Sequence, residues 1–389
     1  MFKIKYDLAI FWPGYAFYNY HFFDEINKLA KKGYRIKVIF IRGIREDSNF
    51  YKDHIINNNL NIISYNAKGI RINDYNLKES LKLFFFIFKT ILASRRVFTS
   101  TQAPLHSKFS FFISKLLRKK AAVLIEQWDD YNAKGFLMNI YKKMGYYIIK
   151  KADTLFVHGK SQQKFAIDFL NRKNKNTYIL PFLSRNSKKV SNYDNKSRTV
   201  RILYFGRITE RKGLDILIQA FKKIKINKKV ELIVCGGIDK KFYWEIRESE
   251  KYFNFCEKLA DGDPRIVFKG QILPKEKDKY FLNSDIFVHP HKVFKDKTEG
   301  WGLVLNEAVS YGLPIITTTK VGSASTLVHN NKNGFVIEPS NINELKNKLE
   351  TLVENDTLRK KFSLASLEIF NDYHQPARIQ ELINNFISK

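Results

Sequence analysis

Cysteine is nearly missing from this 389-residue chain, which has only Cys235 and Cys256, and methionine is limited to three residues. Two thiols cannot staple a disulfide scaffold, so the fold must rest on apolar burial, and the composition suits a reducing compartment. Acid is scarce too: 38 Asp and Glu face 68 Lys and Arg, a net charge of +30. No apolar run reaches the roughly 18 residues needed to cross a bilayer. The opening Met1-Phe2-Lys3-Ile4-Lys5-Tyr6-Asp7, then Leu8–Trp12, is too short and meets acid too early for a secretory signal. These absences predict a cytoplasmic protein. Hydrophobic residues, by contrast, make up 44% of the chain. That content and length predict a globular protein of two ordinary domains.

The charge is unevenly placed. Residues 1–198 hold 37 Lys and Arg against 14 Asp and Glu, and the remainder 31 against 24. An AT-rich genome would enrich lysine throughout and does not account for that difference. A basic first half points to phosphate-rich partners, either nucleic acid or an anionic membrane surface.

Short apolar strands alternate with amphipathic helices along the whole chain, the mark of parallel α/β sheets. Leu8–Trp12 reads as a strand, Tyr20–Lys32 as a helix stopped at Gly33, and Arg35–Ile41 as the next strand. Further strands are expected at Asn61–Ser64, Val97–Thr101, Ala121–Glu126, Thr154–His158 and Thr177–Leu180. The polar stretch 185–198 reads as a linker between an N-terminal domain, 1–184, and a second domain, 199–370. There the pattern restarts, with strands at Val200–Phe205, Val230–Cys235, Arg265–Lys269, Ile286–His289 and Ile315–Thr319. The apolar face Leu214, Leu217, Ile218, Phe221 and Ile224 predicts a helix after Gly213. A last segment, 371–389, is expected to form a helix.

Two motifs carry chemistry. In Thr298-Glu299-Gly300-Trp301-Gly302-Leu303-Val304-Leu305-Asn306-Glu307-Ala308, two carboxylates flank a Gly-rich turn that opens an apolar helix. Such a turn lets backbone N–H groups approach an anion. Glu307 lies roughly 7–8 Å further along the axis, about the span from a diphosphate to its ribose. A loop acid and a solvated helix acid would be the plain alternative. Eight mostly helical residues put the two acids roughly 10 Å or more apart, which disfavours a retaining glycosidase pair, at about 5–5.5 Å, and leaves an inverting one open. In Tyr204-Phe205-Gly206-Arg207-Ile208-Thr209-Glu210-Arg211-Lys212-Gly213, a strand runs into a loop with Arg207 and Lys212. Arg offers a fork and Lys a point charge to phosphate oxygens, although solvated basic loops are common in so basic a chain.

Taken in order, these motifs resemble the retaining glycosyltransferases of family 4, which have the GT-B fold. Ile233-Val234-Cys235-Gly236-Gly237, Val267-Phe268-Lys269-Gly270, Ser284-Asp285-Ile286-Phe287-Val288-His289-Pro290 and Gly312-Leu313-Pro314-Ile315-Ile316 fill the interval in a similar way. The resemblance covers about 200–340. It implies two Rossmann-like parallel-sheet domains facing across a cleft, the first for the acceptor and the second for a nucleotide-sugar donor, with the last helix returning to the first domain. Arg207 and Lys212 would hold the diphosphate and, with Glu299, form the catalytic set. Glu307 would take the ribose. Gly206, and the backbone of Gly300, Trp301, Gly302 and Leu303, would line the donor, and Gly270 and Gln271 the base. The family usually needs no metal or cofactor, and UDP is expected ahead of GDP.

The first half departs from the family pattern. Pro13-Gly14-Tyr15-Ala16 stands in place of a Gly-Gly turn, and Ile125-Glu126-Gln127-Trp128-Asp129-Asp130 lacks a His-Asp pair. Gly14, Tyr15, Glu126 and Asp129 remain acceptor-side candidates, with helix capping as the alternative role for the two acids. Leu81–Lys89 lies in a largely apolar segment and Lys108–Lys120 mixes aromatics with cations, as interfacial helices do, or else both are core helices with basic ends. His21, His158, His289, His291 and His374 show no metal-ligand spacing. The expected function is sugar transfer to a glycan or lipid-linked acceptor in bacterial surface polysaccharide synthesis, on the cytoplasmic face of the inner membrane and without nucleic acid. The alternatives are a GT-B sugar-nucleotide epimerase and a non-catalytic basic protein binding membrane or nucleic acid.

Overall fold

The computed structural model describes residues 3–13, 19–41, 60–64, 77–100, 105–126, 128–130, 135–173, 176–184, 199–238, 243–293 and 298–389. Gly14, Tyr15 and the 185–198 linker lie outside these. The chain divides into two compact units, Met1–Leu183 with Gln375–Lys389, and Ser184–His374.

The first unit is a parallel sheet in the order β3-β2-β1-β4-β5-β6-β7. Its strands are β1 Tyr6–Trp12, β2 Ile36–Phe40, β3 Asn61–Ser64, β4 Ser94–Ser100, β5 Lys120–Ile125, β6 Thr154–Val157 and β7 Thr177–Ile179. The helices are α1 Tyr20–Lys31, α2 Leu77–Leu92, α3 Leu105–Leu116, α4 Phe136–Lys151 and α5 Lys160–Lys164, the last running into a π-turn at Phe165–Phe169. β1 is almost wholly buried, so it reads as a continuous apolar run rather than an alternating one. Its side chains still part by period two. Leu8, Ile10 and Trp12 face one core with α1, while Ala9 and Phe11 face another with α2 and α3.

The second unit is a parallel sheet in the order β10-β9-β8-β11-β12-β13. Its strands are β8 Val200–Phe205, β9 Val230–Cys235, β10 Ile266–Gly270, β11 Ile286–His289, β12 Ile315–Thr318 and β13 Gly334–Ile337. The helices are α6 Leu214–Lys222, α7 Tyr243–Ala260, α8 Lys277–Leu282, α9 Val304–Ser310, α10 Ala324–Leu327, α11 Ile342–Glu354 and α12 Asp356–Tyr373. The expected face Leu214, Leu217, Ile218, Phe221 and Ile224 does enter the core. In both sheets the strand order reverses at one point, between β1 and β4 and between β8 and β11. The crevice beyond the carboxyl ends of the strands at such a point is where ligands of open α/β sheets bind.

The final helix, α13 Pro376–Ser388, belongs to the first unit and packs on α1. Ile379, Leu382, Ile383, Phe386 and Ile387 bury against the core that holds Leu8, Ile10 and Trp12. Gln380 donates to Glu25 at 2.6 Å and accepts from Lys32 at 2.8 Å. The second unit runs to His374: α12 continues to Tyr373, and the His374 imidazole meets the Ser184 carbonyl at 2.8 Å. β13 was not expected from sequence: four residues bounded by loop give little periodicity.

Ile383→Ala removes a fully buried branched side chain from this seam. Such truncations cost about 2–5 kcal/mol. Calorimetry should show the transition of the first unit falling by several degrees, with that of the second unit unmoved.

Candidate functional site

The site is built where β8 and β11 end. β8 leaves through Gly206 into Arg207-Ile208-Thr209, a 3-10 turn at Glu210–Lys212, and Gly213 in the left-handed region at φ 69°. A Cβ at Gly213 would stand 2.0 Å from the Pro290 carbonyl oxygen. Only glycine lets this loop lie against the exit of β11. Behind it, Lys292 pairs with Asp215 at 2.9 Å, and the Tyr252 hydroxyl donates to the same carboxylate at 2.6 Å.

From the other side comes Glu299. Its backbone N–H donates to Lys320 at 3.1 Å, and its carbonyl accepts from Gly322 at 3.0 Å, which ties it to the loop after β12. Gly302, at φ 83°, fits where a Cβ would come within 2.7 Å of Val321. The Glu299 carboxylate accepts from Arg211 at 2.5 Å and from Lys212 at 2.7 Å, and His291 Nδ1 lies 3.6 Å away. Lys212 is buried. Burial lowers the Lys212 pKa, opposed by the Glu299 charge; Arg211 and Arg207 lower it further. Burial alone would raise the Glu299 pKa. The charges of Lys212 and Arg211 outweigh it and hold the carboxyl well below its ordinary 4.5.

Two of the expected residues are thereby in contact, Lys212 and Glu299. Arg207 is exposed at the strand end, and its charge reaches Lys212. Arg211 was missed: the matched pattern leaves its position open, and only adjacency to Lys212 marks it. Glu307, on α9, is held separately by Lys277 of α8 at 2.5 Å. Lys277 was missed as well, in a stretch where lysines are frequent. Trp301, expected at the donor through its backbone, turns its side chain into the fold. Its indole is buried, donates to Asn306 at 2.7 Å and stacks on Tyr373, so its side chain is structural. Gly270 ends β10 at φ 67°, and Gln271 packs over Gly237. In the first unit, Glu126 follows β5, and its carbonyl accepts from Gln162 at 3.3 Å; Asp129 is half-buried.

His289, His291 and Glu299 could place three ligand atoms within 4.8 Å of one another. They make a poor cation site. Arg211 and Lys212 already occupy the Glu299 carboxylate, and their charges would repel an added cation. Arg207, Arg211 and Lys212 against Glu299 leave a positive excess, which suits an anion with several oxygens.

Residues 185–367 match the family of glycosyl transferases group 1. A capsular polysaccharide biosynthesis glycosyltransferase of Staphylococcus aureus, CapM, is 31% identical over 160 residues, 40% of this chain and 37% of that relative. An uncharacterized glycosyltransferase of Haemophilus influenzae is 25% identical over 365 residues, 91% of this chain and 92% of its own. The crystal structure of Anabaena HepE in complex with UDP superposes with a TM-score of 0.74 over 98% of this chain and 99% of that one, at 15% identity. Two parallel-sheet Rossmann-like units with this likeness make the fold GT-B, and the matches make the chain a transferase of the glycosyltransferase class.

Glu299 contributes stability to the second unit that is present above pH 4.5 and is lost as pH falls toward its depressed folded value. Thermal unfolding followed against pH should show that decline in the wild type. Glu299→Gln should show a flatter profile there and a lower midpoint at neutral pH, since it strands buried Lys212 without its counter-charge.

Proposed function

Starting from a GT-B glycosyltransferase with a group 1 domain, we propose that the protein is a retaining enzyme of family 4 that transfers a sugar from a nucleotide diphosphate. The observation that carries this is the seating of Lys212 and Arg211 on Glu299 at the strand-order reversal, with Arg207 beside them. The cations would hold the diphosphate and stabilise the charge that builds on it as it leaves. Glu307 would accept hydrogen bonds from the ribose hydroxyls once Lys277 shares or yields it. Gly206, Gly270 and Gln271, with the backbone of residues 300–303, would line the rest of the donor.

In this reading Glu299 does not act as a nucleophile. A carboxylate already bound by two cations is a poor nucleophile, and its place is beside the donor sugar. The acceptor hydroxyl then attacks the anomeric carbon on the face that the diphosphate leaves. The new C1–O bond forms as the C1–O bond to phosphate breaks, and the acceptor proton passes to the departing phosphate oxygen. Arg207, Arg211 and Lys212 supply the charge a metal would bring, and no cofactor is invoked. UDP is favoured over GDP, consistent with the UDP held by HepE.

The first unit would take the acceptor, through Gly14, Tyr15, Glu126 and Asp129. A glycan or lipid-linked acceptor in bacterial surface polysaccharide synthesis fits the capsular role of the Staphylococcus relative. The basic excess of residues 1–198 favours work at an anionic membrane surface on the cytoplasmic side.

A panel of nucleoside diphosphates in a thermal-shift assay should raise the midpoint most with UDP, because ligand bound to the native state stabilises it by mass action. Slow hydrolysis of the matching donor sugar should fall roughly 100-fold or more in Arg207→Ala and Glu307→Ala, the scale of losing one transition-state contact. Unchanged hydrolysis in both variants contradicts the assignment.

A further inference from the structure

The two faces of the first sheet differ in a way that folding alone does not require. One face, carrying Leu8, Ile10, Trp12, Phe98, Leu124 and Phe156, is covered by α1 and α13. The other, carrying Ala9, Phe11, Val97, Val123, Leu155 and Val157, is covered by α2, α3, α4 and the α5 to π-turn segment. As sequence, the four coverings of the second face hold 11 Lys against two acids, Glu79 and Asp168. α1 and α13 together hold three cations and three acids. A genome-wide lysine bias would load both faces alike.

Exposed apolar side chains follow the same division. Among the described residues of the first unit, eleven large hydrophobics are exposed, from Leu81 on α2 to Phe169 on the π-turn. All lie on the lysine-rich face and none on α1 or α13. They are densest at the start of α4. Phe136 is 79% exposed and Leu137 68%, followed by the half-exposed Met138 and Ile140, so the first turn of the helix presents apolar side chains to solvent. Exposed Lys143, Lys150 and Lys151 follow on the same helix, and its first turn carries no acid. The patch runs on through Tyr147 stacked on Phe112, and through Tyr146 against Phe169.

Apolar residues projecting into solvent, with exposed lysines further along the same helix, fit the boundary between lipid headgroups and acyl chains. A protein partner would fit the apolar part but leaves the lysine excess without a counterpart. No helix among the described residues is long and apolar enough to cross a membrane, so the fit is to lying on the surface. We propose, resting on the membrane location put forward above, that this face docks on an anionic bilayer. Phe136, Leu137, Met138 and Ile140 enter the interface, and exposed lysines of α2, α4 and α5, among them Lys82, Lys89, Lys143 and Lys160, sit over acidic headgroups. The sequence directs attention to Leu81–Lys89 and Lys108–Lys120. The structure buries much of both, including Leu83, Ile87, Phe111 and Ile113, and moves the centre of the surface to α4.

The test is co-sedimentation of the full chain with phosphatidylcholine vesicles containing about one third phosphatidylglycerol. Each lysine close to such a surface raises partitioning roughly fivefold at low salt. Wild type should bind these vesicles, release as salt rises, and bind pure phosphatidylcholine much more weakly. The combined variant Phe136→Ser, Leu137→Ser, Ile140→Ser should lose at least roughly tenfold in partitioning, with an unchanged unfolding midpoint because the three side chains are exposed. Lys143→Glu, Lys150→Glu, Lys151→Glu should lose as much. Phe255→Ser, an exposed apolar residue of the second unit, should lose nothing. Equal binding by wild type and both combined variants overturns the docking face while leaving membrane location standing. No binding by wild type at low salt removes both. A dimer in sedimentation velocity that the α4 serines dissolve, with vesicle binding intact, also overturns it. Donor hydrolysis in solution should be the same in all variants, so failure of the transfer reading is seen separately.

Discussion

The second unit depends on one carboxylate. Lys212 is buried and Arg211 is beside it, so without a counter-charge the two would repel each other and lack solvation. Glu299 reaches both from a different strand end and is itself fixed by backbone bonds to the loop after β12. Its ionised state follows from their charges, and their position follows from it. Gly213 is the steric condition for the meeting, because any side chain there would strike Pro290. A diphosphate arriving at this place would meet cations whose geometry is set in advance, which is what stabilising a developing charge requires.

The topology explains why the meeting occurs where it does. In an all-parallel sheet with the order β10-β9-β8-β11-β12-β13, the loops after β8 and β11 diverge to opposite faces and leave a crevice between them. Arg207 to Lys212 come from one side of it and Glu299 from the other. Glu307 belongs to α9, the next element along, and Lys277 to α8, so the two acids of a single motif have separate partners and separate tasks. The first unit has the same order reversal between β1 and β4 but puts its excess charge elsewhere, over one helical face.

Much of this was legible in the sequence because it rests on local rules. Strand runs such as Val200–Phe205 and Val230–Cys235 coincide with β8 and β9, and Gly213 marks the turn into α6. The meeting of Lys212 with Glu299, 87 residues apart, was accessible only through resemblance, since no periodicity encodes it. Arg211 and Lys277 were not legible, because their importance lies in which carboxylate they reach in space. α4 escaped for a different reason. Phe136, Leu137, Met138 and Ile140 are apolar on every side of the helix, so no amphipathic stripe announces them. Their meaning emerges only with exposure. Trp301 shows the reverse case, a motif residue whose side chain serves the core.

The central claim is that Lys212, Arg211 and Arg207 form a preset seat for a diphosphate at the β8–β11 reversal. A crystal structure of the full chain with UDP bears on it most directly. The account predicts phosphate oxygens within hydrogen-bonding distance of Lys212 and Arg207, and the ribose hydroxyls on Glu307. UDP bound elsewhere, or a diphosphate at this crevice that touches none of the three cations, would contradict it.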